Sequence, residues 1–235
     1  QDRSWMAMFD RAAEAYDRHA ADSAYNAHYD RPAMLELLGD VSGLRVLDAG
    51  CGSGLYAAEL LSRGAEVVGV DESEKLIRLA RRRAPGAEFH VQALEKPLGW
   101  AADRSFDRVL MALVLHHIHY PVNTLRELHR VLRDDGRLLI STGHPTDDWR
   151  RLGGSYFTRE RIEETWSMGV QTSYRRAPLE TLVGEFGEAG FVVEKLIEPR
   201  PADTMKERYP EAHEKLSRVP AFIGFRLMKH PGRLR

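Results

Sequence analysis

The sequence is poor in cysteine and has no excess of basic residues. Its one cysteine, Cys51, excludes an intrachain disulfide and predicts a reducing, cytoplasmic environment. Lys and Arg total 34 residues, against 35 for Asp and Glu. Because the neutralisation of phosphates supplies most of the affinity for nucleic acids, this balance argues against a nucleic-acid partner.

Long apolar runs are also absent. No run approaches the roughly 20 residues that span a membrane, and residues 1–16 mix charges without the apolar core of a signal peptide. We therefore expect neither a membrane contact nor secretion. At 235 residues, with 43% hydrophobic and 29% charged residues, the composition is that of one globular domain.

Short β-branched runs alternate with helical patterns along the chain, which is typical of βαβ units around a parallel sheet. The sequence predicts strands at residues 44–48, 66–70, 88–91, 106–111, 137–141, 191–196 and 222–228. The expected fold is therefore α/β, a Rossmann-like doubly wound sheet of seven mostly parallel strands.

The alternation breaks after residue 143. Residues 161–167 and 170–175 flank a Met168-Gly169 pair and indicate a hairpin, so we expect a cap inserted after the fifth strand. The predicted organisation is a single domain. Its parts are an N-terminal helical lid (1–42), a ligand-binding core (43–143), the inserted cap (144–177) and the C-terminal strands (178–235).

A glycine-rich turn at residues 48–54 follows the first strand, where open α/β sheets bind their ligands. Asp71, 21 residues after Gly50, has the separation expected of a carboxylate that holds ribose hydroxyls. A dinucleotide fingerprint would need a small residue where Leu55 stands. Asp48, just before the turn, suits an ammonium group better than a pyrophosphate. The residues thus favour S-adenosylmethionine over NAD.

This turn resembles motif I of the class I S-adenosylmethionine-dependent methyltransferases, and residues 67–71 resemble motif II. Residues 9–17, 115–118 and 125–137 are similar to the ubiquinone/menaquinone-biosynthesis-like branch, often grouped as type 11. The resemblance covers about residues 9–145 and implies an enzyme that transfers a methyl group from S-adenosylmethionine.

The resemblance also implies cofactor contacts at matching positions. Asp48 and the turn backbone would hold the methionine part, Asp71 the ribose hydroxyls, and two tyrosines of the N-terminal helices would close over the cofactor. The implied residues are Tyr16, Tyr29, Asp48, Gly50, Cys51, Gly52, Asp71, Glu72, Ser73, Ala93, Leu94, Met111 and Ala112. The Cys51 side chain itself is expected to pack rather than to act as a nucleophile.

Histidines follow the fourth and fifth strands, near the expected position of the transferred methyl group. Histidine is the usual base near neutral pH, and His116, from the group His116, His117 and His119, is our first candidate. His144, after the fifth strand, is the second. No cluster of Asp and Glu accompanies these histidines, so we expect no metal.

Tyr156, Phe157, Trp166 and Tyr174 lie in the inserted segment. At a pocket mouth they would bind an apolar or aromatic acceptor, but they could equally form the core of a small cap or a homodimer contact. We hypothesise methyl transfer to an oxygen or nitrogen atom of a small-molecule metabolite. An RNA or protein methyltransferase, or a non-catalytic protein that binds S-adenosylmethionine, are the alternatives.

Overall fold

The computed structural model of the protein describes residues 4–165 and 171–232. The strands are β1 (Arg45–Ala49), β2 (Glu66–Asp71), β3 (Glu88–Val91), β4 (Phe106–Ala112), β5 (Leu132–Gly143), β6 (Glu160–Thr165), β7 (Gln171–Arg176), β8 (Phe191–Ile197) and β9 (Phe222–Lys229). The α-helices are α1 (Ser4–Asp22), α2 (Arg31–Leu38), α3 (Leu55–Ser62), α4 (Glu74–Arg83), α5 (Pro121–Val131), α6 (Pro145–Leu152), α7 (Leu179–Glu188), α8 (Asp203–Arg208) and α9 (Pro210–Arg218). A π-helical turn (Asn26–Asp30) precedes α2, and a 3-10 turn (Leu115–His117) follows β4.

Seven strands form one sheet in the order β3-β2-β1-β4-β5-β9-β8. The pairs from β3 to β5 are parallel, whereas β9 runs antiparallel to both β5 and β8. The predicted Rossmann-like, mostly parallel sheet is thereby confirmed. The strand order reverses between β1 and β4, and in such sheets ligands bind at this point, at the carboxyl ends of the strands.

The central strands are buried on both faces because helices cover the sheet on each side. Successive side chains of β4 point to opposite faces, so that Val109 and Met111 pack in one apolar layer and Leu110 packs in the other. All three are fully buried. The Met111 side chain therefore belongs to the core and does not reach the sheet edge, contrary to its predicted cofactor contact.

Tyr29 also lies away from its expected position. It is fully buried in a small cluster with Met205 of α8, Leu216 of α9 and Ala221. Its hydroxyl accepts a hydrogen bond from the Ala221 amide at 3.1 Å. The side chain thus fastens the N-terminal segment to the C-terminal helices instead of closing over a ligand.

The inserted segment contains more structure than its sequence predicts. The hairpin is present, with Glu160 opposite Arg176 and Thr165 opposite Gln171, but helix α6 precedes it. Trp166 and the Met168-Gly169 pair lie outside the described residues. The segment returns over the sheet edge, because β7 contacts both α1 and the 3-10 turn after β4.

Candidate functional site

A cavity of about 520 Å³ opens at the carboxyl edge of the sheet, between the ends of β1 and β4. Its volume falls within the range of small-molecule sites, roughly 300–1,000 Å³. Many of the predicted site residues line it together. They are Tyr16, Gly50, Gly52, Asp71, Glu72, Ser73, Ala93, Leu94, Ala112 and His116.

The glycine-rich turn forms one wall because only glycine allows its backbone path. Gly50 and Gly52 have φ angles of 82° and 54°, in the left-handed region. A Cβ at Gly50 would lie 2.4 Å from Cγ2 of Val114, in the segment after β4. The turn and this segment therefore approach each other more closely than any larger residue would permit.

Asp71 joins the turns that follow β1 and β2. Its carboxylate accepts the Gly52 amide at 2.9 Å through one oxygen and the Ser73 amide at 2.9 Å through the other. The Ser73 hydroxyl in turn caps α4 by accepting the Leu76 amide at 3.2 Å. These bonds hold the Asp71 carboxylate at the cavity wall, where a ribose contact stays a prediction.

The carboxylates on this side share an unfavourable electrostatic environment. Burial, reinforced by the charge of Asp71, raises the pKa of Asp48 to about 7. Burial and the charges of Asp71 and Glu95 raise the pKa of Glu72 to about 8. A bound cation would lower the free energy of the ionised forms, so this side of the cavity suits a positively charged ligand.

Asp48 lies near the end of β1, is only 1% exposed and lines neither this cavity nor the smaller one beside it. Its Oδ2 atom has no hydrogen-bond partner among the described residues. A buried acceptor without a partner costs about 1–3 kcal/mol, and a positive charge in the adjoining cavity would lower that cost. An anionic pyrophosphate would raise that cost, so the residues fit a sulfonium-type, ammonium-bearing cofactor better than a dinucleotide.

A second cavity of about 60 Å³ adjoins the first on the other side of the turn. Cys51 lies on its wall, and burial raises the pKa of its thiol well above the usual value, which keeps the thiol protonated. Asp30, Arg31 and Tyr56 also line this cavity. No sequence pattern marked these three, since they come from separate elements that only the fold brings together.

Two neutral histidines also line the large cavity. His116 Nδ1 lies 3.1 Å from Oγ1 of Thr142, and burial lowers the pKa of His116 well below its usual value. His117 donates from Nδ1 to the carbonyl of Ser173 at 2.9 Å, and burial lowers its pKa to about 4. Because a carbonyl can only accept, this bond places the proton of neutral His117 on Nδ1 and the lone pair on Nε2.

Among the described aromatic residues of the cap, Tyr174 reaches the cavity. Its ring lies 6.2 Å from the His116 ring, and its hydroxyl accepts from Arg151 at 2.5 Å. Tyr156 instead accepts the Leu179 amide at 3.1 Å, and Phe157 is 68% exposed. Of the aromatic residues predicted to bind the acceptor, Tyr174 is therefore the one that lines the cavity in the described part of the cap.

His144 has a structural position that differs from its predicted catalytic one. It is the N-cap of α6, where its Nδ1 accepts the Thr146 amide at 3.1 Å, and its Nε2 lies 3.1 Å from Glu198. Both ring nitrogens are thus engaged outside the large cavity, whose wall His144 does not join. His144 does follow β5, as the sequence predicts, but a helix that begins directly after it is not predicted.

Within residues 4–165 and 171–232, no group of three or more His, Cys, Asp or Glu side chains is placed to hold a metal ion. In the same part of the chain, no helix combines the length and the apolar character needed to cross a membrane.

Sequence comparisons connect this geometry with known proteins. Residues 47–140 match the family model described as Methyltransferase domain. The demethylmenaquinone methyltransferase of Clavibacter sepedonicus is 38% identical over 139 residues, which are 57% of this chain and 56% of the relative. Its Listeria monocytogenes counterpart is 28% identical over 78% of this chain and 85% of its own length. The chain thus spans little more than half the length of the Clavibacter relative.

Solved structures share the architecture over most of the chain. An S-adenosylmethionine dependent methyltransferase from Mesorhizobium loti has a TM-score of 0.68 at 24% identity, covering 83% of this chain and 95% of its own. The Burkholderia thailandensis 1,6-didemethyltoxoflavin-N1-methyltransferase, solved with bound 1,6-didemethyltoxoflavin and S-adenosylhomocysteine, has a TM-score of 0.64 at 22% identity. The match covers 96% of this chain and 87% of that one. At these identities the likeness establishes the common fold.

Proposed function

Because this chain belongs to the class I S-adenosylmethionine-dependent methyltransferases, with S-adenosylmethionine as cofactor, we propose that it methylates an oxygen or nitrogen atom of a small-molecule metabolite. One observation carries the proposal. A single cavity joins the glycine-rich turn and Asp71 to an end lined by His116 and Tyr174. We assign the part of this cavity around the turn and Asp71 to the cofactor, and the part around His116 and Tyr174 to the acceptor.

The cofactor half is assigned from its charge and backbone. Asp71 would hold the ribose hydroxyls, and Asp48 with the turn backbone would hold the methionine part. The residues proposed to surround the rest of the cofactor are Tyr16, Glu72, Ser73, Ala93, Leu94 and Ala112. The unpartnered Oδ2 of Asp48 and the raised pKa values of Asp48 and Glu72 support a cationic occupant.

Methyl transfer from S-adenosylmethionine requires the protein mainly to position the two reactants. S-adenosylmethionine supplies an electrophilic methyl group on a sulfonium, so in-line approach of the acceptor and exclusion of water provide most of the catalysis. The neutral His116 imidazole would accept a hydrogen bond from the acceptor and take its proton as the new bond to carbon forms. His117, which also lines the cavity, is a second candidate for this role.

The acceptor half favours an uncharged, apolar or aromatic molecule. Its wall combines Tyr174, Leu182 and Phe222 with the two neutral histidines. The name demethylmenaquinone methyltransferase on the relatives makes a quinone-like ring a candidate acceptor.

An RNA acceptor is disfavoured by charge. Asp147, Asp148 and Glu164 line this half beside Arg151 and Arg175, so its wall offers no excess of positive charge to a phosphate backbone.

The proposal is tested by product formation. Purified protein would be incubated with S-adenosylmethionine and, in parallel, a short-chain demethylmenaquinone analogue, phenols, aromatic amines, total RNA and a protein extract. We expect S-adenosylhomocysteine and a methylated small molecule, detected by mass spectrometry. Methylation of RNA or protein alone would contradict the proposal. Tight cofactor binding without transfer to any of these classes would favour the non-catalytic alternative.

A further inference from the structure

Tyr174 of strand β7 brings a hydroxyl group to the acceptor half of the large cavity. Its oxygen accepts a hydrogen bond from Nη2 of Arg151 at 2.5 Å, and both residues line the cavity. The hydroxyl forms no second hydrogen bond within the part of the chain that the structure describes. Because a phenol directs its own hydrogen away from a cation that donates to it, Tyr174 has a donor left for a ligand.

Arg151 is held in place by carboxylates of two different elements. Its Nη1 lies 2.7 Å from Glu164 of β6, and its Nη2 lies 3.4 Å from Asp148 of its own helix α6. The guanidinium therefore fixes the position of the Tyr174 hydroxyl. Burial raises the pKa of Tyr174, so the hydroxyl keeps its hydrogen at neutral pH. The hydrogen bond from the cation polarises the phenol and makes it a stronger donor.

His116 supplies a proton acceptor to the same cavity, but a weak one. Its ring lies 6.2 Å from the Tyr174 ring at an angle of 84°. Thr142 Oγ1, 3.1 Å from Nδ1, is placed to accept the Nδ1 hydrogen, which leaves the lone pair of the neutral ring on Nε2. Burial lowers the pKa of His116 well below its usual value. Proton transfer to so weak a base is efficient only from an acidic group.

A hydroxyl group becomes acidic when it is conjugated with a carbonyl group, because the negative charge left by the proton spreads onto the carbonyl oxygen. A hydrogen bond to that oxygen stabilises the ionised form further. Tyr174 offers the donor for the carbonyl, and His116 offers the lone pair for the hydroxyl. The two side chains thus match two oxygen atoms of one molecule, whereas a simple alkylphenol would leave the Tyr174 donor unused.

We propose that the acceptor carries a hydroxyl group conjugated with a carbonyl group, and that Tyr174 donates a hydrogen bond to the carbonyl oxygen. The hydroxyl proton passes to His116 as an electron pair of the hydroxyl oxygen forms the bond to the methyl carbon. The electrons of the broken carbon–sulfur bond stay on sulfur. Arg151 acts through Tyr174 and is a positioning residue. The inference rests on the proposed function and narrows its acceptor to one chemical class.

Two probes of similar size isolate the contact with the carbonyl oxygen. The protein, saturated with S-adenosylhomocysteine, would be titrated calorimetrically with 4-hydroxyacetophenone and with 4-ethylphenol, which lacks the carbonyl. We expect the unmodified protein to bind 4-hydroxyacetophenone about tenfold more tightly, the size of one hydrogen bond from a polarised donor. Tyr174→Phe should bind 4-hydroxyacetophenone about tenfold more weakly and 4-ethylphenol within about twofold of the unmodified protein.

Further variants separate positioning from folding. Arg151→Met removes the group that orients the Tyr174 hydroxyl, so 4-hydroxyacetophenone should bind about threefold more weakly. Arg151→Lys keeps a cationic donor and should restore part of this affinity, a rescue that a merely structural role would not produce. Tyr120→Phe is the matched control and should change neither affinity, because Tyr120 is 69% exposed and does not line the large cavity. Unchanged 4-ethylphenol binding shows that the cavity of a variant is folded.

Equal affinities of the unmodified protein for the two probes would overturn the inference. So would an equal loss of both affinities in Tyr174→Phe, a preference that this variant retains in full, or binding of neither probe. The proposed function fails by a different result, namely when no small molecule is methylated.

Discussion

The two halves of the large cavity are built in different ways. The cofactor half stands on the ends of β1, β2 and β4, whose core residues are fully buried, and its backbone is fixed by the bonds of Asp71. The acceptor half is covered by α6 and the β6–β7 hairpin, which are held by side-chain pairs such as Arg151 with Glu164 and Arg175 with Glu185. We propose that the rigid half recognises the constant cofactor, whereas the half made of an insertion varies with the acceptor.

The halves also differ in charge. On the cofactor side, Asp48 and Glu72 have raised pKa values because burial and neighbouring carboxylates oppose their ionisation. On the acceptor side, Arg151 is paired with carboxylates and His116 and His117 are neutral. We therefore propose that the first half binds a cation and the second an uncharged molecule.

The largest effect is expected at Asp71. Asp71→Ala removes the acceptor of two backbone amides and the proposed ribose contact, so we expect at least about a 100-fold loss of S-adenosylhomocysteine affinity in calorimetry. Glu74→Ala, an exposed carboxylate three residues later that pairs with Arg78, is the matched control and should bind normally. An affinity within twofold of the unmodified protein would mean that the ribose lies elsewhere.

The contrast between the halves also explains what could be predicted from the sequence. The turn at residues 48–54 and Asp71 can be recognised from the local sequence alone. Glycine is favoured where φ is positive, and an acidic residue directly after an apolar run marks the end of a strand. Ser73 is a local feature of the same kind, since serine is a preferred N-cap residue and its hydroxyl accepts the Leu76 amide at the start of α4. The β-strands followed from their apolar pattern for the same reason.

Other positions depended on tertiary structure that one sequence does not reveal. The Met111 side chain points into the core because of the alternation along β4, which a strand-end position alone does not determine. Tyr29 is buried by α8 and α9, short helices with few apolar residues that are stabilised by packing and were not foreseen. Asp30, Arg31 and Tyr56 meet only after the N-terminal segment folds under the turn.

A second, smaller effect is expected from pH and is confined to the cofactor half. The pKa of Asp48 is raised to about 7, so lowering the pH from 8 to 6 protonates it and removes its attraction for an ammonium group. Affinity for S-adenosylhomocysteine should fall about tenfold over this range, with Glu72 and Asp30, whose pKa values are about 8 and 6, contributing at its two ends. Calorimetry at several pH values measures this slope.

Asp48→Asn isolates the contribution of that carboxyl. The variant should bind more weakly at pH 8 and lose the component of the slope centred near pH 7. An identical slope in the variant and the unmodified protein would assign the titration to other groups.

In the acceptor half, His116→Gln should affect turnover and leave cofactor binding unchanged. The low pKa of His116 makes it a weak base, so we expect kcat to fall about tenfold, below the range of roughly 100-fold or more typical of strong general bases. His119→Gln is the matched control, because His119 belongs to the same sequence group but is exposed and does not line the cavity. Equal rates in both variants would remove His116 from the chemistry.

The smallest effect is expected at His144. Its substitution tests whether this residue only stabilises α6, which borders the acceptor half, or takes part in the reaction itself. His144→Ala removes the N-cap of α6, which should cost about 1 kcal/mol and lower Tm by about 2–4 °C. Because α6 carries Asp148 and Arg151 to the cavity wall, KM for the acceptor should rise modestly while kcat stays within twofold. His144→Asn, which keeps a capping side chain, should restore most of the stability. If His144→Asn were as stable as the unmodified protein and still lost tenfold in kcat, the imidazole itself would take part in the reaction, and its position outside the cavity would have to change during turnover.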